Sequence, residues 1–190
     1  MQYEYQRASH EVTVHEAAKI RYDNLQTRYT KRVEKMESIF TKKKNQLEND
    51  YRSLSSQATA NINGATGGSV AAFNALMGSI IVGGHSLGSY IQVSTTATGA
   101  QLLQDLSTAA QKATSILQQL INSAKEADTE RIEDQEERML DPIREKDTEM
   151  QAKSNLESTL CTIWEQRKQN AEQRLGQDIK GAFSGYTLGG

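Results

Sequence analysis

Residues 53–104 read SLSSQATANINGATGGSVAAFNALMGSIIVGGHSLGSYIQVSTTATGAQLLQ, fifty-two positions without Asp, Glu, Lys or Arg in a chain that is 24% charged. The stretch consists largely of Gly, Ala, Ser, Thr, Asn and Gln around an apolar centre from Val70 to Val93. Its punctuation divides it. Asn61-Ile62-Asn63-Gly64, then Gly67-Gly68, stops any helix arriving from the N-terminal side, because Gly accepts left-handed backbone and Asn accompanies it at helix ends. Ser69 to Val82 predicts a short apolar helix, which Gly83-Gly84 breaks. Gly88 and Gly99 loosen the chain beyond that break, and Ser94 to Thr98 reads as a loop or weak strand. Residues 63–99 are therefore expected to form a Gly-rich, uncharged segment between two charged arms.

The N-terminal arm, residues 1–62, carries apolar positions at Ala18, Tyr22, Leu25, Tyr29, Val33, Met36, Phe40, Leu47, Tyr51, Leu54 and Ala58. Steps of three, four and seven mark the seam of one long amphipathic helix lying on a partner helix, with a register slip near Met36 to Phe40. Over Val12 to Ile62 such a helix is about 75 Å long at 1.5 Å per residue, and it needs another arm or another subunit to cover its seam. The C-terminal arm, residues 100–180, repeats the pattern through Leu103, Leu106, Ala110, Ala113, Leu117, Leu120, Ala124 and Ala127. It continues through Met150, Leu156, Leu160, Ile163, Trp164, Ala171, Leu175 and Ile179. Asp141-Pro142 leaves two readings: a break with a new helix starting at Pro142, or one helix that kinks there or runs on nearly continuously, the second preferred. Pro lacks the amide proton of a helix interior yet suits a first helical turn, and Asp caps well. Residues 181–190 are expected to be a flexible tail, although Phe183, Tyr186 and Leu188 are apolar for a solvated end.

Charge separates the arms. Residues 1–52 hold eleven basic and eight acidic groups, and residues 105–190 hold eleven basic and sixteen acidic. Arms of opposite sign favour packing on each other or on a neighbour. A fold-back near residue 80 places the basic run Arg28 to Lys44 opposite residues 117–133. The expected class is all-α: a long helical hairpin or coiled coil with an uncharged central segment, extended rather than globular. Only 36% of residues are apolar and 6% aromatic, thin for a globular core but sufficient for a seam. A net charge of −2 supplies no general attraction to nucleic acid.

Motifs of chemistry are few. Gly84-His85-Ser86-Leu87-Gly88 matches the G-x-S-x-G nucleophile elbow, which exposes a serine between a strand and a helix of a large parallel sheet. Here no second strand-like segment flanks it, and no histidine lies downstream, the three being His10, His15 and His85. Close packing or a turn at these small residues is the preferred reading, and no catalytic residue is expected. His10 and His15 are five apart, so they occupy different helix faces and do not pair as zinc ligands. Gly64-Ala-Thr-Gly67-Gly68-Ser69 lacks the lysine of a phosphate loop. Lys42-Lys43-Lys44 reads as a solvated face or a match to the acidic arm rather than a phosphate site. Cys161 stands alone, which excludes an internal disulfide and a cysteine-rich metal site. No cofactor or metal is expected. The Val70–Val93 segment is long enough for one membrane crossing, but Asn74, His85 and its Ser and Gly residues dilute it. Protein–protein packing is therefore preferred to lipid contact, with Val70, Phe73, Leu76, Met77, Ile80, Ile81, Val82 and Leu87 as the contact residues. The helix seam is assigned to Leu25, Tyr29, Met36, Phe40, Leu47, Leu54, Leu106, Leu117, Leu120, Leu160 and Trp164.

A charged helix, an Ala/Gly/Ser-rich apolar middle, and then Leu102-Leu-Gln-Asp-Leu-Ser-Thr-Ala-Ala-Gln-Lys-Ala-Thr-Ser-Ile-Leu-Gln-Gln-Leu120 together resemble the secreted extracellular components of type III secretion systems. The resemblance covers residues 55–125 in character. It implies a filament subunit or a smaller translocator. Such a protein acts through coiled-coil packing with itself or other helical subunits, or through contact with a target membrane, and is exported without a cleavable signal peptide. One feature departs from that pattern: a patterned helix begins almost at once, where such proteins carry a loose Ser/Thr-rich export segment. The alternative expectation is an intracellular coiled-coil scaffold or adaptor in the cytoplasm.

Overall fold

The computed structural model describes residues 2–186, with side chains described for residues 2–181. The order of elements is α1 (Gln2–Gly64), a 3-10 turn (Ala65–Gly67), α2 (Val70–Ser79), β1 (Ile81–Val82), β2 (His85–Ser86), a second 3-10 turn (Leu87–Ser89) and α3 (Ala100–Tyr186). The protein is all-α apart from the two-residue strands. The chain divides into two compact units. One, the arm unit, comprises Met1–Met36 with Arg138–Gly190; the other, the cap unit, is Glu37–Glu137. Both boundaries fall inside α1 and α3, so a division at 62 and 100 describes the elements and not the compact units.

Local signals place the breaks. Helix α1 stops at Gly64, and α2 begins where the Ser69 hydroxyl caps it by accepting from the Ala72 amide at 3.2 Å, one of the orphan donors of a helix start. Gly83 and Gly84 adopt φ of 58° and 82°, which suits a two-residue hairpin turn. That turn pairs Ile81 with Ser86 and Val82 with His85 in antiparallel fashion. A chain this poor in alternating β-branched residues carries no pattern for a sheet; two glycines in the left-handed region suffice for one this small.

Of the two readings at Pro142, the near-continuous helix holds: Pro142 lies inside a continuous α3 and starts no new helix. Two expectations require correction. Helix α3 runs past the expected end of the arm to Tyr186, so residues 181–186 are helical, while the tail beyond Tyr186 lies outside the described residues. The fold-back register is offset as well. A turn at residue 80 puts position 117 opposite Lys44, but the partner is Glu133, sixteen positions further on. The cause is the connection itself. Residues 65–99 do not reverse the chain tightly but fold into a cap with a helix and hairpin of their own.

The cap unit holds the main core. Ala58 and Ile62 of α1, Phe73 and Met77 of α2, Ile80, Val82, Leu87 and Ile91 of the connection, and Leu106, Ala110, Ala113, Leu117 and Ile121 of α3 form one buried cluster. Ile62, Phe73, Met77, Leu87 and Leu106 are fully enclosed, and burying each large apolar side chain stabilises the unit by roughly 1.5–3 kcal/mol. The Asn74 amide closes the outer loop: its Nδ2 donates to the Val93 carbonyl and its Oδ1 accepts from the Val93 amide, both at 2.9 Å. One side chain thus satisfies a backbone donor and acceptor that have left regular structure.

Candidate functional site

All eleven residues assigned to the helix seam are buried or half-buried, Phe40, Leu106 and Leu117 completely. In the cap unit the seam is bracketed by polar clamps between α1 and α3. Lys44 reaches Glu133 at 3.2 Å and Glu136 at 2.9 Å, Lys125 reaches Glu48, and Tyr51 donates to Asp128 at 2.7 Å. The hydrogen bond to Glu136 leads the causes that raise the Lys44 ammonium above its ordinary value. Burial, aided by Asp128, pushes the Tyr51 phenol up to about 12.

In the arm unit two heptad rows of α3 are buried or half-buried, Leu140, Asp147, Ser154, Cys161, Lys168 and Leu175, interleaved with Ile143, Met150, Glu157, Trp164 and Ala171, and Leu160 is half-buried beside them. Helix α1 answers with Ala8, His15, Tyr22 and Tyr29, and with Val12, Lys19, Gln26 and Val33. Several of these are polar, and they pair across the seam. His15 Nδ1 lies 2.6 Å from a Glu157 carboxylate oxygen, the Ser154 hydroxyl donates to Asp23, and Thr30 donates to Asp147 at 3.1 Å. The Ser154 hydrogen bond, then Lys19, holds the Asp23 carboxyl below its usual value. Polar groups at seam positions make register specific, since a slip of one residue would leave them unpaired. A reading confined to apolar spacing passes over them. It also assigned Leu156, Ile163 and Ile179 to the packed face, and all three are exposed.

The residues assigned to the central contact segment separate. Phe73, Met77, Ile80, Val82 and Leu87 are buried in the core of the cap unit, Val70 and Leu76 are half-buried against it, and Ile81 is 61% exposed. Among the described residues no helix is long and apolar enough to cross a membrane.

Ser86 closes β2, and its hydroxyl donates to the Gly78 carbonyl at 3.0 Å. The adjoining Gly88 packs so closely on α2 that a Cβ there would stand 2.9 Å from the Gly78 Cα and backbone nitrogen. The G-x-S-x-G spacing thus serves a close approach of backbones. His85 is exposed, its ring edge-on to Tyr90 with centroids 6.5 Å apart. His10 is exposed and His15 faces Glu157. One set of possible ligand atoms does converge, on Glu16, Cys161 and Glu165, within 4.8 Å of one another. Burial and the two carboxylates push the Cys161 thiol up, which disfavours the thiolate a metal would need. A second convergence that spacing alone could not reveal surrounds Trp164, where Arg7 of α1 and Arg167 of α3 lie 5.8 and 4.6 Å from the indole centroid.

Comparison with known proteins finds no matching family model, no match among curated proteins and none among solved structures.

Proposed function

We propose that the chain is a non-enzymatic, self-assembling helical protein, a secreted filament or translocator-like component whose role is exercised through helix packing with further copies of itself. The observation that carries this reading is a second apolar row in the arm unit. Leu156 and Ile163 are seven residues apart, share one face of α3 outside the seam with α1, and are 58% and 42% exposed. A single exposed leucine is ordinary, but a heptad-spaced pair is the start of another seam. Ile20, 60% exposed on α1, adds apolar surface to the same unit. Packing of arms is favoured over insertion in lipid, because the residues best suited to a bilayer are occupied in the core of the cap unit.

Sedimentation velocity across a concentration series tests the reading. The parent chain should associate as concentration rises, and Leu156→Glu with Ile163→Glu should abolish association while circular dichroism shows the helix content kept. A parent that stays monomeric up to its solubility limit overturns the proposal.

A further inference from the structure

Near the start of α1 and toward the end of α3 lies a cavity of about 350 Å³, within the size range of small-ligand sites. Its floor is the buried pair Ala8 and Ala171, whose small side chains leave the space open. Trp164, Asn170, Glu4 and three arginines, Arg7, Arg167 and Arg174, line the rest. Lys44, Lys125, Lys146 and Lys153 all have carboxylates within 4.0 Å. Among the described residues none of the three arginines has one. The indole contacts of Arg7 and Arg167 steady two guanidinium groups while leaving N–H donors free, and a guanidinium fork matches an oxyanion in bidentate fashion. Three cations facing one cavity repel, and an anion relieves that repulsion. Arg167 and Arg174 lie seven residues apart on one helix face, about 10 Å along the axis. One phosphate would have to draw both long side chains inward, whereas two linked phosphates offer each guanidinium fork an oxyanion of its own.

We propose that this groove binds a soluble diphosphate-type oxyanion, with Arg7, Arg167 and Arg174 as its donors. Trp164 is the chain's single tryptophan, so its fluorescence reports on the site alone. The full chain is titrated with sodium pyrophosphate at constant ionic strength. A saturable fluorescence change is expected, weakened roughly tenfold or more in Arg167→Gln and in Arg174→Gln. Glu4→Gln should tighten binding, because it removes the one acid at the cavity, and Lys112→Gln, on the exposed surface of the cap unit, should leave affinity unaltered. Arg167, Arg174 and Glu4 are exposed, so these changes do not breach the core. Glu4→Gln also leaves every contact to the indole in place. A response that does not saturate, one that chloride reproduces, or arginine variants that bind like the parent overturns the proposal. So does an affinity unmoved by Glu4→Gln, or a response seen only with vesicles of anionic lipid.

Discussion

Gly78 and Gly88 touch, yet adding one methyl group at each should have opposite effects. At Gly88 the new Cβ would meet the Gly78 Cα and nitrogen at 2.9 Å and the Met77 carbonyl carbon at 3.2 Å. All three are backbone atoms of α2, so no side chain can rotate aside and the helix must move off the core it covers. Overpacking costs about 1–3 kcal/mol, and a rigid neighbour places Gly88→Ala in the upper part of that range. At Gly78 a Cβ meets nothing within 4 Å. Alanine there gains helix propensity of up to about 1 kcal/mol, less so close to the end of α2. Amide hydrogen exchange reads the difference locally through Leu87, whose N–H donates to the Ile80 carbonyl at 2.8 Å, and Ile91, whose N–H donates to Leu87 at 3.1 Å. A loss of about 2–3 kcal/mol in local opening corresponds to roughly 30- to 150-fold faster exchange in Gly88→Ala. Gly78→Ala should exchange at the parent's rate or more slowly. Equal acceleration in both variants, or none in Gly88→Ala, would refute the backbone contact as the reason for glycine at position 88.

The high Tyr51 value gives a pH dependence. Folding favours the neutral phenol, so its contribution is fully present below the unfolded value of 10.0 and is lost as pH rises through about 12. Ultraviolet titration should show one of the seven tyrosines ionising last, and Tyr51→Phe should remove that step; a single shared transition near the ordinary value would contradict it. Pro142 denies α3 one internal hydrogen bond. Pro142→Ala should therefore raise the melting temperature, with a gain of up to about 3 kcal/mol, and an unchanged or lower melting temperature would refute the cost.

The arms were legible because helical spacing is a local property: Tyr51, Leu54 and Ala58 announce a buried face without knowledge of what covers it. The break at Gly64 was legible for the same reason, but the end of α2 was not: a helix expected to reach Val82 stops at Ser79, and Ile81–Val82 pair as a strand instead. Nor was the register legible. It depends on how many residues the connection consumes, and residues 65–99 fold by contacts such as Asn74 with Val93 that no periodicity encodes. The central apolar residues were visible as a group, but spacing could not say whether Phe73 and Leu87 face a partner or Ile62 and Leu106 of their own chain. The Trp164 groove was invisible, since Arg7 and Trp164 lie at opposite ends of the sequence.

The ladder of clamps sets an order in which the chain can close. Ser55 meets Gln118 across 63 positions, Tyr51 meets Asp128 across 77, and Lys44 meets Glu133 across 89. Thr30 meets Asp147 across 117, Asp23 meets Ser154 across 131, and His15 meets Glu157 across 142. The entropic cost of ring closure rises with each separation, and an inner pair once made shortens the loop the next must close, to fourteen further residues on each helix between Lys44–Glu133 and Thr30–Asp147. Loop closure alone therefore favours fastening the inner pairs before the outer ones. The residues of early α1 are made well before their partners on α3, and His15 and Glu157, the most widely separated of these pairs, carry the largest closure cost of the ladder.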